Sequence, residues 1–144
     1  NNFDNVIKIF VTEINNGEIM PYSKWKHCIQ NDEPAYDNFL TGVGGVLYPP
    51  NVLHPDIFNM DLFMQLTPQS DDIWFWAMAI LNNTKINIVK NPYSLIYVNP
   101  QREFQLNGDT TLYSKNRNDN DKQIAALLDY YPQIKQKLFA ISDD

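Results

Sequence analysis

The stretch SDDIWFWAMAILNN, residues 70–83, joins two aspartates to a block that is almost wholly apolar. Apolar side chains recur at helical spacing on two opposite faces of this block: Trp74, Ala77, Met78 and Leu81 on one face, and Ile73, Trp76 and Ile80 on the other. A helix that is apolar on all sides is buried in the core of a protein. The stretch therefore predicts a central helix with Ser70 or Asp71 as its N-cap. Asn82 and Asn83 mark its predicted end.

Both strand and helix patterns flank this central helix. Strands are predicted over residues 6–14, 45–49, 85–90 and 94–98. Helices are predicted within residues 54–68, over 118–131 and over 132–141. Turns or irregular loops are predicted at 15–18, 19–29, 30–38 and 99–110. The order is mixed, so the sequence predicts an α/β chain of the mixed α+β kind that forms a single domain over residues 1–144.

Proline residues mark several of the predicted boundaries. Pro49 and Pro50 end the predicted buried strand that precedes them, because proline cannot donate a backbone hydrogen bond. Pro68 stops the helix whose expected N-cap is Asn59. Pro132 stands at the first position of the last predicted helix, where its missing N–H costs nothing.

The composition describes a folded, acidic chain. It has 144 residues, of which 44% are hydrophobic and 13% aromatic, and its formal net charge is −6. No basic stripe is present in the sequence, which disfavours nucleic acid as a partner. No apolar run approaches the ~20 residues of a membrane-spanning helix. The single cysteine, Cys28, excludes an intramolecular disulfide and fits a reducing compartment. The chain begins at Asn1, not Met, so we expect a piece of a longer protein.

The acidic pair Asp71 and Asp72 is the first candidate for chemistry. A helix N-terminus has free N–H groups and a partial positive charge, which hold a carboxylate in its ionised form. An ionised carboxylate beside apolar side chains can act as the general base that deprotonates a sugar hydroxyl. The alternative is that both aspartates only cap the helix and stabilise its first turn.

Glycines and aromatic residues give the second candidate. Gly42, Gly44 and Gly45 allow close approach of the backbone to a ligand or to another segment. Their pattern is not a phosphate-binding fingerprint, and a tight turn before a strand is the alternative. Four aromatic residues are candidates for the apolar floor under a sugar ring: Trp74, Trp76, Tyr48 and Tyr22. For Trp76 a core position is an equal alternative, and for Trp74 it is the preferred interpretation.

Asp119 and Asp121 form a D-x-D pattern, which in some proteins chelates a divalent ion. Here the pair stands at the start of a predicted amphipathic helix, so capping accounts for it. His27 and His54 are isolated, and the adjacent Cys28 does not create metal-ligand spacing. No metal site is therefore assigned to this chain.

Four motifs in order resemble a known family. GEIMPYSKW, then TGVGGVLYPP followed by LHPDIFN, then SDDIWFWAMAI, then NDNDKQIAALLDYYP lie within residues 17–132. They resemble the C-terminal, acceptor-side part of bacterial GT-A-type glycosyltransferases of surface-polysaccharide gene clusters, and the resemblance covers about residues 6–132. It implies the C-terminal portion of a nucleotide-diphospho-sugar transferase fold, with a short mixed sheet and three to five helices.

The resemblance also implies a division of labour. In such enzymes an N-terminal half holds the nucleotide sugar and a divalent metal, Mg²⁺ or Mn²⁺, through its own D-x-D; here that half would lie upstream of Asn1. No cofactor is expected on this chain. Asp72 matches the general base and Asp71 its partner, while Gly44 and Gly45 match a segment beside the donor sugar.

The chain is therefore expected to be part of a glycosyltransferase of the inverting kind. It would move a sugar from a nucleotide-sugar donor to a glycan or lipid-linked acceptor, in the cytoplasm or at the inner face of the membrane. The alternative is a non-catalytic glycan-binding or scaffolding module. A missing half would also leave apolar surface exposed at residues 45–48, so self-association of this chain is expected.

Overall fold

A computed structural model describes residues 9–11, 14–15, 18–27, 33–42, 45–88 and 112–140. Within this part the chain mixes α-helices with short β-strands, as predicted. The α-helices are α1 (Met60–Leu66), α2 (Asp71–Leu81), α3 (Leu112–Tyr130) and α4 (Pro132–Phe139). Single 3-10 turns lie at Tyr22–Lys24 and Pro55–Phe58. The strands are β1 (Ile9–Val11), β2 (Ile14–Asn15), β3 (Glu18–Ile19), β4 (Lys26–His27) and β5 (Asn38–Leu40).

The strands form two small antiparallel sheets. In the first, β1 lies between β4 and β5, and Phe10 is opposite both His27 and Phe39. In the second, β2 pairs with β3, and Ile14 is opposite Ile19. These sheets are too short to form the core by themselves, since two or three residues per strand bury little apolar surface.

Helix α2 is the centre of the core, as its sequence predicts. Seven of its side chains are buried: Ile73, Trp74, Trp76, Ala77, Met78, Ala79 and Ile80. Ser70 is the N-cap, and its Oγ accepts a hydrogen bond from the backbone N–H of Ile73 at 3.4 Å. Asn82 is the C-cap, and Asn83 follows it with a φ of 58°. Asparagine tolerates this left-handed conformation better than most residues, which explains why the helix ends here.

An aromatic cluster joins α2 to the first sheet. The ring centroids of Trp25 and Phe39 lie 5.3 Å apart, and those of Phe39 and Trp76 lie 5.5 Å apart. Both contacts are close to edge-to-face, the favourable geometry for aromatic pairs. The indole N–H of Trp76 donates to the carbonyl oxygen of Tyr36 at 3.0 Å. The cluster therefore fixes the segment around β5 against α2.

Helices α3 and α4 pack against α2 from the other end of the chain. Their fully buried side chains are Leu127, Ile134 and Leu138. Pro132 occupies the first turn of α4, as predicted. The ammonium group of Lys137 donates to the carbonyl oxygens of Ile80 at 2.8 Å and Leu81 at 3.1 Å. Helix α4 thereby donates hydrogen bonds to carbonyl groups at the end of α2, in addition to the Asn83 N–H that Ile80 accepts at 3.0 Å.

Helix α3 begins at Leu112, six residues before the predicted start at residue 118. Asp119 and Asp121 therefore lie inside a helix and do not cap its start. Their weak helix propensity is overridden by tertiary contacts. The Asp121 carboxylate accepts the backbone N–H of Tyr22 at 2.6 Å, and the side chain of Asn120 is buried.

The prediction of a buried strand over residues 45–49 is wrong. The segment pairs with no strand among the described residues, and Leu47 is 88% exposed. Two prolines at its end remove backbone donors, so apolar composition alone does not bring it into a sheet. Exposed apolar surface is present here, as the expectation of self-association requires, and association itself stays a prediction.

Other strand predictions have mixed outcomes. Within 6–14 only β1 and the first residue of β2 lie among the described residues. Strand β5 begins at Asn38, in a stretch read as a loop, because the buried Asn38 amide donates to the carbonyl oxygens of Glu33 and Ile86. Ile86 itself forms an isolated bridge with Ala35, not a continuous strand. The strand predicted at 94–98 and the loop at 99–110 lie outside the described residues.

Candidate active site

The glycine segment and the acidic helix start meet in the fold. The backbone N–H of Gly42 donates a hydrogen bond to Oδ1 of Asp72 at 2.7 Å, across thirty positions of sequence. A Cβ atom added at Gly42 would lie 3.1 Å from the same oxygen. This is tighter than ordinary van der Waals contact, so the close approach needs a glycine or a shift of the carboxylate. The two stretches therefore form one local structure.

The three polar residues at the start of α2 have different partners. Ser70 caps the helix, and Oδ1 of Asp71 accepts the backbone N–H of Asp72 at 3.0 Å. The carboxylate of Asp72 instead points to Gly42, whose backbone N–H it accepts. Helix capping is thus carried by Ser70 and assisted by Asp71, and Asp72 contributes a carboxylate that its own helix does not use as a cap.

The surroundings of Asp72 make its carboxylate a stronger base. Partial burial raises the pKa of Asp72 above its ordinary value, and the negative charge of Asp71 raises it further. The hydrogen bond from Gly42 acts in the opposite direction and lowers this pKa, but burial is the larger effect. A half-buried carboxylate with a raised pKa binds a proton more readily than an exposed one, as a general base must.

Tyr48 lies beside this carboxylate. Its ring packs on that of Phe75 with the centroids 5.1 Å apart, and its side chain is 42% exposed. Burial of the phenol raises the pKa of Tyr48 to about 12, with further contributions from the charges of Asp72 and Asp71. The phenol is therefore neutral at physiological pH and can donate a hydrogen bond next to the acidic pair. This location agrees with the role predicted for Tyr48, while sugar binding stays a prediction.

The sequence analysis did not single out Phe75 as a member of the site, and it predicted close approach for the glycines in general without the contact between Gly42 and Asp72. Phe75 is three positions after Asp72 on the helix, and residues at this spacing lie on one face. That spacing was the available signal. Gly42 belongs to the glycine cluster, but its contact with Asp72 depends on tertiary structure and has no local signature.

The two glycines assigned to the site, Gly44 and Gly45, differ in what the structure describes. Gly44 lies outside the described residues. Gly45 is exposed, has a φ of +83° and donates its N–H to the carbonyl oxygen of Gly42 at 2.9 Å. No heavy atom lies within 4 Å of a Cβ built on Gly45. The left-handed backbone explains the glycine at this position, and a contact of Gly45 with the donor sugar stays a prediction.

The assignment of Trp76 to the apolar floor under a sugar ring is wrong, and the alternative of a core position is correct. The Trp76 side chain is only 2% exposed and packs in the aromatic cluster with Trp25 and Phe39. Both the packing and the hydrogen bond to Tyr36 direct the indole into the core, so it is not an open floor for a sugar. Trp74 is buried as well, in agreement with its preferred interpretation, and its ring lies 5.9 Å from that of Phe63.

The D-x-D residues have protein partners. Asp119 pairs with Lys122 at 3.0 Å along α3, and Asp121 accepts the N–H of Tyr22. In the part of the chain that the structure describes, no three side chains of His, Cys, Asp or Glu gather in a way that could hold a metal ion. No helix in that part is long and apolar enough to cross a membrane.

Comparisons of the chain with protein-family models, with curated proteins and with solved structures give no match.

Proposed function

We propose that this chain is part of a glycosyltransferase that moves a sugar from a nucleotide-sugar donor to a glycan or lipid-linked acceptor, with inversion at the anomeric carbon. The observation that carries the proposal is the position of the Asp72 carboxylate. This carboxylate lies at the start of a buried helix, is half-buried, and contacts the glycine segment through Gly42. The bacterial GT-A-type resemblance in the sequence supports the same assignment.

In the proposed step, Asp72 takes the proton of an acceptor hydroxyl while the hydroxyl oxygen forms a bond to the anomeric carbon of the donor sugar. The bond from that carbon to the phosphate oxygen breaks, and the nucleoside diphosphate leaves with the bonding electron pair. Asp72 ends the step protonated and returns its proton to water. A single displacement of this kind inverts the anomeric configuration, and no residue becomes covalently attached to the sugar.

Two neighbours of Asp72 support this role. Asp71 adds negative charge that raises the proton affinity of Asp72, while its own oxygen holds the backbone N–H of that residue. Tyr48 presents a neutral phenol and a partly exposed ring on the same side. We assign Tyr48 to the acceptor sugar, whose C–H face can pack on an aromatic ring. Nucleotide and metal binding are assigned to other parts of the intact protein.

The test is turnover of the intact protein with Asp72→Asn. Release of nucleoside diphosphate from UDP-, GDP- and dTDP-sugars is measured with Mg²⁺ or Mn²⁺ and an oligosaccharide acceptor. Loss of the base lowers turnover by about 10²-fold or more, while donor binding is retained. Asp61→Asn is the matched control, since Asp61 is an exposed acid in the first turn of α1.

Near-normal turnover in Asp72→Asn contradicts the assignment of the base. A wild-type protein that binds oligosaccharides but transfers no sugar from any of these donors contradicts the enzymatic proposal and favours a glycan-binding module.

A further inference from the structure

We propose that Gly42 is the positioning residue for Asp72: its backbone N–H holds Oδ1, so that Oδ2 is the oxygen that receives the proton of the acceptor. This inference rests on the proposed function and gives Gly42 a specific role beyond the close approach predicted for the glycines. Its starting observation is the 2.7 Å hydrogen bond between the two residues.

The hydrogen bond distinguishes the two carboxylate oxygens. Oδ1 is engaged by the Gly42 amide, and Oδ2 has no hydrogen-bond partner among the described residues. A carboxylate anchored at one oxygen cannot rotate freely about its χ2 angle, so the other oxygen keeps one direction. Such fixed geometry is what proton transfer requires, because a displacement of about 1 Å can lower a rate by about 10²-fold.

The steric fit explains why a glycine stands at this position. A Cβ at residue 42 would lie 3.1 Å from Oδ1, close enough that the carboxylate or the loop has to move by a few tenths of an ångström. Gly42 has no positive φ, so the left-handed conformation does not account for this glycine. Access of the amide to Asp72 is therefore the feature that the glycine provides.

Gly42 and Asp71 act on the proton affinity of Asp72 in opposite directions. Among the described residues, the titratable groups that face Asp72 are Asp71 on its own helix and Tyr48 in the 45–50 segment. The Gly42 amide favours the ionised carboxylate and lowers the pKa of Asp72, whereas the Asp71 charge raises it. Weakening the Gly42 hydrogen bond should therefore raise the pKa of Asp72, and removing the Asp71 charge should lower it.

The experiment measures kcat and KM of the intact protein against pH for Gly42→Ala and Asp71→Asn. In Gly42→Ala we expect kcat to fall about 10- to 100-fold with little change in KM, and the acidic limb of the kcat profile to move to higher pH. In Asp71→Asn the limb moves to lower pH, because the amide oxygen of asparagine still accepts the N–H of Asp72 but has no charge. A merely structural role for Gly42 predicts no movement of the limb.

A second measurement needs neither a folded Gly42→Ala variant nor the donor sugar. In the wild-type protein, the amide proton and nitrogen resonances of Gly42 should titrate with the side-chain carboxyl carbon of Asp72, and this response should disappear in Asp72→Asn. A Gly42 amide that does not respond to Asp72 overturns the inference. If the Gly42 amide responds but the wild-type protein transfers no sugar, the proposed function is wrong. The positioning role is then wrong as well, and the hydrogen bond is only structural.

Discussion

Oδ1 of Asp72 accepts the backbone N–H of Gly42 at 2.7 Å, and this oxygen has an equivalent in asparagine. An asparagine at position 72 can therefore keep the contact while it loses the negative charge and the second carboxylate oxygen. The substitution separates two properties of the residue, its structural contact and its acid–base chemistry. Functional groups often lower stability where they are partly buried, so the two properties need not change in the same direction.

We predict that Asp72→Asn is at least as stable as the wild-type protein at pH 7. Burial and the Asp71 charge raise the folded-state pKa of Asp72 above the ordinary value of 3.8, so the folded state disfavours the ionised form. The contribution of Asp72 to stability is then greatest below pH 3.8 and is lost as the pH rises through its folded pKa. At pH 7 the partly buried, ionised Asp72 carboxylate destabilises the wild-type protein, whereas the neutral asparagine has no such effect.

Urea unfolding at pH 7 and at a pH below 3.8 tests this prediction. The difference in the free energy of unfolding between the two proteins should be zero or in favour of Asp72→Asn at pH 7. On acidification it should change in favour of the wild-type protein, because protonation removes the buried charge. A variant that is clearly less stable at pH 7 would show that ionised Asp72 supports the fold and would contradict the cost assigned to its burial.

The sequence predicted part of this site because part of it is local. The acidic start of α2, an N-cap at Ser70 or Asp71 and the burial of its apolar residues all follow from local sequence, and the structure selects Ser70 as the cap. The side of the helix that each residue occupies was harder to predict when apolar residues cover every face. Trp76 was assigned equally to core and site, and only its contacts with Phe39 and Tyr36 decide for the core.

The parts that sequence could not predict depend on distant segments. Strand β5 begins at a polar residue, Asn38, whose side chain is satisfied by the carbonyl oxygens of Glu33 and Ile86. Residues 45–49 have the composition of a buried strand but lack a partner strand within the described residues. Strand formation needs a neighbour as well as a pattern, whereas a helix forms its hydrogen bonds within itself. This is why the central helix was predicted well and the strands poorly.

A second prediction concerns the hydrogen bond between Tyr131 and Asp56. Tyr131 is a buried residue, and its hydroxyl donates to Oδ2 of Asp56 at 2.5 Å, which links the end of α3 to the turn before α1. Burial and this hydrogen bond raise the pKa of Tyr131, so the phenol remains a donor. We expect Tyr131→Phe to lower the free energy of unfolding by about 1–2 kcal/mol, because the hydrogen bond is to a partly exposed carboxylate.

Tyr130→Phe is the matched control for this substitution. Tyr130 is adjacent in sequence, and its side chain is 53% exposed, so removal of its hydroxyl should change the free energy of unfolding by less than about 0.5 kcal/mol. Chemical denaturation of both variants makes the comparison. Equal effects of the two substitutions would mean that the Asp56 contact adds nothing to stability.

The last prediction concerns the end of the central helix. Lys137 donates to the carbonyl oxygens of Ile80 and Leu81, at the helix terminus where partial negative charge accumulates. Lys137→Met keeps most of the apolar length of the side chain but removes the donor, and should lower the free energy of unfolding by about 1–2 kcal/mol. Lys135→Met is the control: its ammonium group lies 5.4 Å from the centroid of the Phe139 ring and bonds to no carbonyl oxygen of α2, so its loss should cost about 0.5 kcal/mol.

Amide hydrogen exchange adds a local measurement. In Lys137→Met the amides in the last turn of α2, which include Ile80 and Leu81, should exchange faster than in Lys135→Met, because the end of α2 loses partners for its carbonyl groups. Equal protection of these amides in both variants would contradict a role for Lys137 in holding the end of the helix.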